Sequence, residues 1–208
     1  MVDMVHNMIL SVLPDVLPVI IIITVIACSL RIAYIIKFKK KFVLYKELYS
    51  LIFILYILCL FEVVTFQDVN YGTSNFIPFK EIFRYDFGSR LFVKNIVGNM
   101  LLFLPYGYFV SNYLKSKKMW ITIFLTVLVS VTIEVVQFYI GRTFDIDDII
   151  LNTVGGILGY FLYVGCSRIV DKLPSELKND GVINFITIVI LLIIIIYSFN
   201  LNILNWFN

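Results

Sequence analysis

An all-α, polytopic transmembrane helical bundle is the fold class to expect, and three observations carry it. Hydrophobic residues make up 61% of the 208-residue chain and charged residues 15%, with a mean hydropathy of +0.95. That is more apolar surface than a soluble domain hides. The apolar residues fall in six continuous runs, each near the ~20 residues that a ~30 Å hydrocarbon core demands of a helix; continuity without alternation favours helices over a barrel. Basic residues gather in every second connection, the pattern that orients membrane helices. With no long repeats or low-complexity linkers, residues 1–208 read as a single transmembrane domain.

The six runs cover residues 16–36, 48–66, 95–114, 119–140, 148–166 and 182–199. The first is too long and too late for a cleaved signal and should stay in the mature protein. Lys37, Lys39, Lys40, Lys41 and Lys46 follow the first run, Lys115, Lys117 and Lys118 the third, and Arg168, Lys172 and Lys178 the fifth. The positive-inside rule makes these three loops cytoplasmic and puts both termini outside. The net charge of +3 is modest and confined to those loops, so no nucleic-acid partner is expected. Arg31 and Lys94 are expected to snorkel to the headgroups, and Trp120 and Trp206 to anchor at the interface. Cys28, Cys59 and Cys166 each stand alone in an apolar run and read as packing residues.

The connection 67–94, facing outward, carries its own apolar pattern. Pro78 suits the first turn of a helix, and Phe79, Ile82 and Phe83 then share a face against Lys80, Glu81 and Arg84. This predicts an outer-leaflet interfacial helix between the second and third spans, with Tyr71, Tyr85, Phe87 and Phe92 at headgroup level.

Polar residues concentrate in residues 133–160, read IEVVQFYIGRTFDIDDIILNTVGGILGY. Ionisable groups inside a membrane cost roughly 2.5–3.5 kcal/mol each on insertion scales, which makes them functional candidates. Ser130, Glu134 and Gln137 share one helix face, as do Asp148 and Asn152, and as do Asn95, Asn99 and Phe103. Glu134 lies about 9 Å below its helix end at ~1.5 Å per residue, so it needs a partner or a proton. With Arg142 and Asp145 in the connection and Glu62 near the outer end of the second span, polar groups from four helices meet at one level. Glu134 and Asp148 are the catalytic candidates; Asn95, Asn99, Glu134, Gln137, Arg142, Asp145, Asp148 and Asn152 are the ligand-binding set.

The carboxylates outnumber nearby cations, and one remedy is a divalent metal on Asp145, Asp147 and Asp148. All-oxygen ligands suit Mg, Ca or Mn, and His6, the only histidine, lies near the terminus. The other remedy is structural: Asp147 or Asp148 caps the fifth helix, Arg142 pairs with Asp145, and the amides are interhelical glue. Gly155 and Gly159 form a G-x-x-x-G packing face, and Pro105 with Gly107 is expected to kink the third span.

Three segments carry a resemblance: KNIVGNMLLFLPYG, the E-x-x-Q of IEVVQ, and GRTFDIDDIILNTVGGILGY, with NFIPF upstream. Over residues 75–160 the chain resembles the VanZ-like family of bacterial membrane proteins. The resemblance implies a cell-envelope protein associated with resistance to the lipoglycopeptide teicoplanin. Three functional classes follow. The first is an outward-facing protein that engages a lipoglycopeptide or lipid-linked cell-wall precursor, with membrane lipids around it. The second is an enzyme on an outer-leaflet lipid or cell-wall intermediate, with Glu134 or Asp148 as general acid or base and a cation holding phosphate. The third is a structural membrane partner without ligand. No Ser-His-Asp or Cys-His arrangement exists to favour a familiar hydrolase.

Overall fold

A computed structural model of the chain describes the backbone of residues 2–65, 74–115 and 118–206. Side chains are described for 17–62, 74–115, 118–194, 196 and 197. Tyr71 and Lys117, and the side chains of His6 and Trp206, lie outside the described residues.

The fold is all-α. Among the described residues six long helices follow in order: α1 Val2–Phe38, α2 Leu44–Thr65, α3 Gly98–Leu114, α4 Met119–Tyr139, α5 Ile146–Lys172 and α6 Asp180–Trp206. Four of them contain stretches long and apolar enough to cross a membrane: Leu17–Phe38, Leu44–Glu62, Met119–Tyr139 and Ile146–Lys172. α3 has 17 residues, but it continues without a break from a helical turn at Arg90–Phe92 and a π-helical turn at Val93–Val97. Its chain direction is therefore set before Gly98. Within α6, Asp180–Ile194 forms a shorter apolar stretch.

The chain divides into two compact units, residues 1–20 with 55–168 and residues 21–54 with 169–208. In the first, Leu60, Phe103 and Tyr106 form a buried cluster with Tyr56, Leu102, Val110, Val129 and Ile133 around it. The Tyr56 hydroxyl donates to the Leu102 carbonyl at 2.7 Å. The glycines set the helix spacing. A Cβ on Gly107 would overlap the Gly156 backbone, one on Gly155 the Met100 backbone, and one on Gly159 the backbone of Leu104 and Tyr108. The G-x-x-x-G face of α5 thus lies directly on α3, the close approach that small residues permit. Gly107 is part of that contact, a role that the expected kink at Pro105 did not include.

In the second unit, Arg31 does not rely on snorkelling alone. Its Nε and Nη2 fork onto Glu47 at 2.6 and 2.9 Å, a two-point geometry that guanidinium makes with carboxylate. The Tyr45 N–H donates to Asn184 at 3.2 Å and its hydroxyl to Asp180 at 3.0 Å, which ties the start of α2 to the start of α6. The three cysteines are free, with Cys28 and Cys59 on exposed helix surface and not packed inside.

The expected interfacial helix takes another form. Residues 77–81 are a bend and turns, closed by one 3-10 turn at Ile82–Arg84. Phe79 has φ 67°, a left-handed conformation that costs a bulky L-residue about 1–2 kcal/mol and ends any regular helix there. Phe76, Ile77, Phe79, Phe83 and Phe87 remain exposed apolar surface. The amphipathic pattern survives on a loop, whose shape is dictated by a carboxylate described next.

Candidate functional site

The site is built where α4 ends and α5 begins. α4 closes with Gly141 at φ 88°, its N–H on the Phe138 carbonyl at 3.2 Å, while the Arg142 N–H reaches the Gln137 carbonyl at 2.9 Å. These two bonds are the Schellman arrangement, which needs a residue without Cβ at the left-handed position. The chain then runs extended beside the loop from the other side of α3. Asn75 donates its N–H to the Phe144 carbonyl at 2.8 Å and accepts from the Ile146 N–H at 3.0 Å. Phe76 stacks on Phe144 at 5.2 Å between ring centroids.

Three acids within four consecutive positions, Asp145, Asp147 and Asp148, then divide the work with Glu134. Asp145 is the helix cap: its Oδ1 accepts the Asp147 N–H at 2.9 Å and the Asn75 amide at 2.9 Å. This corrects the expectation that Asp147 or Asp148 caps the helix. The Asp145 N–H donates to Glu134 Oε2 at 2.8 Å. In a capping box that N–H would be taken by the side chain three residues on, which is Asp148. Because Glu134 from α4 supplies the acceptor, Asp148 is released to another partner, and Asn99 of α3 donates to it. Glu134 is 2% exposed, and both it and Asp148 lie in the field of Arg142.

Asp147 points the other way. Its carboxylate accepts the backbone N–H groups of Phe79 at 2.5 Å, Glu81 at 2.7 Å and Ile82 at 3.3 Å, with the Asn75 amide at 3.5 Å. It is 1% exposed. Converging backbone donors of this kind form an anion nest, and here the anion is the protein's own. The carboxylate offsets the strain at Phe79 and fixes the loop.

The proposed metal set of Asp145, Asp147 and Asp148 is therefore not assembled. Successive helical residues project about 100° apart, and these three carboxylates face the cap, the loop and Asn99 respectively. Among the described residues no three metal-binding side chains converge. Asn95 lies half-buried in the π-helical turn, with no side-chain hydrogen bond among the described residues. A π turn inside a helix frequently marks a functional position. Gln137 is buried at the end of α4.

Below the carboxylates runs a stripe that sequence reasoning caught only in part. Asn152 donates to Ser130 at 2.9 Å, as the paired faces of α4 and α5 predict. The Asn152 Oδ1 is buried without a partner among the described residues. Thr122, Thr126 and Ser111 were not anticipated, yet each is at most 1% exposed. Ser111 and Thr122 share a hydrogen bond at 2.9 Å, Thr126 donates to the Thr122 carbonyl at 2.7 Å, and Gly156 packs on the Thr126 side chain. The spacing Thr122, Thr126, Ser130, Glu134 at every fourth residue was the available signal. Asn75 was also missed, although NFIPF marked its neighbourhood.

Burial pushes the Asp145 carboxyl above the usual carboxylate range, against the opposing pull of the Asp147 N–H and Asn75 amide. A carboxyl raised in the folded state favours folding when protonated, so this contribution is present at low pH and is lost as pH rises through the raised value. Asp145→Asn keeps a cap acceptor and removes the proton equilibrium. Its unfolding free energy should fall less than that of the wild type as pH rises from the ordinary carboxylate value of about 4 through the raised one.

The fold and this buried polar end define an all-α membrane protein with carboxylates from two helices gathered beside one arginine. The chain belongs to the VanZ/LLP1 family, whose sequence profile matches residues 48–170. It is also similar to Protein VanZ of Enterococcus faecium, at 35% identity over 112 residues, which is 53% of this chain and 66% of that protein. The match thus spans slightly less than two thirds of that relative. No solved structure matches.

Proposed function

We propose that the chain is a multi-pass protein of a bacterial cell membrane that acts at the outer leaflet on a lipoglycopeptide such as teicoplanin, or on a lipid-linked cell-wall precursor. The observation that carries this reading is the pairing of Glu134 with Asp148 near Arg142, one carboxylate held by the Asp145 N–H and the other by Asn99. Such a cluster offers charged acceptors and one cation to the hydroxyls, amides and phosphates of an envelope ligand. The lysine-rich loops support an orientation with both termini and the α4–α5 connection outside. The exposed aromatics of the 75–87 loop suit the headgroup region of the same leaflet.

Susceptibility to teicoplanin and vancomycin tests this in a sensitive Gram-positive host expressing wild type, Glu134→Gln or Asp148→Asn, with membrane abundance matched by tag. Both replacement amides retain a carbonyl acceptor, so normal abundance is expected. Wild type should lower teicoplanin susceptibility selectively, and each amide variant should return it to that of the host. No shift by wild type would sink the drug reading. A shift retained in both variants would make the carboxylates scaffold.

A further inference from the structure

The second unit holds a pocket that the proposed function does not use. Its volume is about 380 Å³, and it is lined by Arg31, Lys40, Lys41, Lys46, Glu47 and Asp180, with Tyr34 and Val43 completing the wall. That volume falls within the ~300–1,000 Å³ of small-molecule sites. Four cations face two carboxylates, a surplus of two positive charges.

The charges are not equivalent. Arg31 is held in a fork by Glu47 at 2.6 and 2.9 Å, and Lys46 by Asp180 at 3.2 Å. Tyr34 lies under the guanidinium at 5.3 Å. These pairs hold two cationic walls in place and leave donors over, since guanidinium has five N–H groups and ammonium three. Lys40 and Lys41 make no salt bridge among the described residues. The chain leaves α1 through Lys39 in the left-handed conformation, φ 49°, which turns these two lysines back to the pocket. The surplus charge is theirs.

The surroundings select the source of the anion. Phe38 is 53% exposed and its ring lies 4.7 Å from that of Tyr34 in the pocket wall, so exposed apolar surface adjoins the pocket at the end of a membrane-length helix. A soluble anion would gain nothing from that surface, whereas a lipid lays its acyl chains there while its phosphate meets the lysines. We propose that this pocket binds the phosphate of an anionic phospholipid headgroup, with Lys40 and Lys41 as charge partners and Arg31 and Lys46 as oriented donors. By the positive-inside rule this is the cytoplasmic leaflet.

The test uses the full chain in neutral detergent, with thermal unfolding followed as phosphatidylglycerol, phosphatidylcholine or sodium phosphate is added. A ligand that binds only the folded state raises Tm saturably. Phosphatidylglycerol should do so, phosphatidylcholine and equimolar phosphate should not, and added salt should weaken the effect. Lys40→Gln with Lys41→Gln should leave the unliganded Tm unchanged and raise the half-saturating lipid concentration about tenfold or more. Lys40→Arg with Lys41→Arg should retain the response. Equal shifts with phosphatidylcholine would make the effect generic solvation, and an equal shift with phosphate alone would make this a soluble-anion site. Either result overturns the proposal, as does an unaltered response in the double glutamine variant.

Discussion

Asp147→Ala will release the 75–84 loop from the start of α5 and destabilise the first unit by about 3–5 kcal/mol, the range for removing one partner of a buried charged group. The side chain accepts three backbone N–H groups from residues 79–82, and a buried N–H left without acceptor costs about 1–3 kcal/mol. Nothing else offered by the described residues replaces it, since the neighbouring Asp145 carboxylate already serves the cap and Asn75. Phe79, held at positive φ, would relax to ordinary backbone. Asp147→Asn should fall between wild type and alanine, because one oxygen can still accept while the amide nitrogen faces further donors. Thermal unfolding of the purified protein reads the loss. Trypsin cleavage after the exposed Lys80 and Arg84 should accelerate with it, whereas unchanged cleavage in the alanine variant would show that the loop does not depend on this carboxylate.

Valine at Gly107 or Gly159 will disrupt the contact between α3 and α5 by at least about 3 kcal/mol, the upper end of ordinary overpacking. The reason is what the added carbon meets. At Gly107 it meets the Gly156 backbone, and at Gly159 the backbone of Leu104 and Tyr108. Backbone cannot rotate away as a flexible side chain does, so the helices must separate and the hydrogen bond from Asn99 to Asp148 is strained with them. Gly165 is the internal control. A Cβ there meets nothing within 4 Å, and Gly165→Ala should be neutral or stabilise by up to about 1 kcal/mol through helix propensity. If Gly159→Val unfolds at the same temperature as Gly165→Ala, the close approach does not matter for stability.

Residue spacing disclosed the parts of the site that lie along single helices. Ser130 and Glu134 share a face because they are four apart, and Asp148 and Asn152 for the same reason; the observed Asn152–Ser130 bond joins the two faces. The depth of Glu134 required a partner, and the Asp145 N–H is one. Thr122 and Thr126 obeyed the same spacing but were overlooked, because a hydroxyl that bonds the carbonyl one turn back travels in an apolar run without announcing itself. The interfacial helix failed for a different reason. Periodicity in KEIF describes a local preference, and a carboxylate 65 to 68 positions later gathered the N–H groups of Phe79, Glu81 and Ile82 around itself with Phe79 at positive φ, a backbone that no regular helix follows.

Membrane insertion sums over residues, so apolar runs, lysine-rich loops and the E-x-x-Q and R-x-x-D-x-D-D spacings were enough to establish an all-α membrane chain and its family. The division of labour among Glu134, Asp145, Asp147 and Asp148 belongs to the folded chain. Four acids of the same chemistry are told apart only by which donors face them: residues 75–82 and Asn99 for the three aspartates, with the Asp147 N–H also on Asp145, and the Asp145 N–H for Glu134. A hydrogen bond is directional and short, and its partner is chosen by packing between distant segments. Local sequence carries the acceptors, and the approach of α3 to α5 through their glycines brings the donors to them.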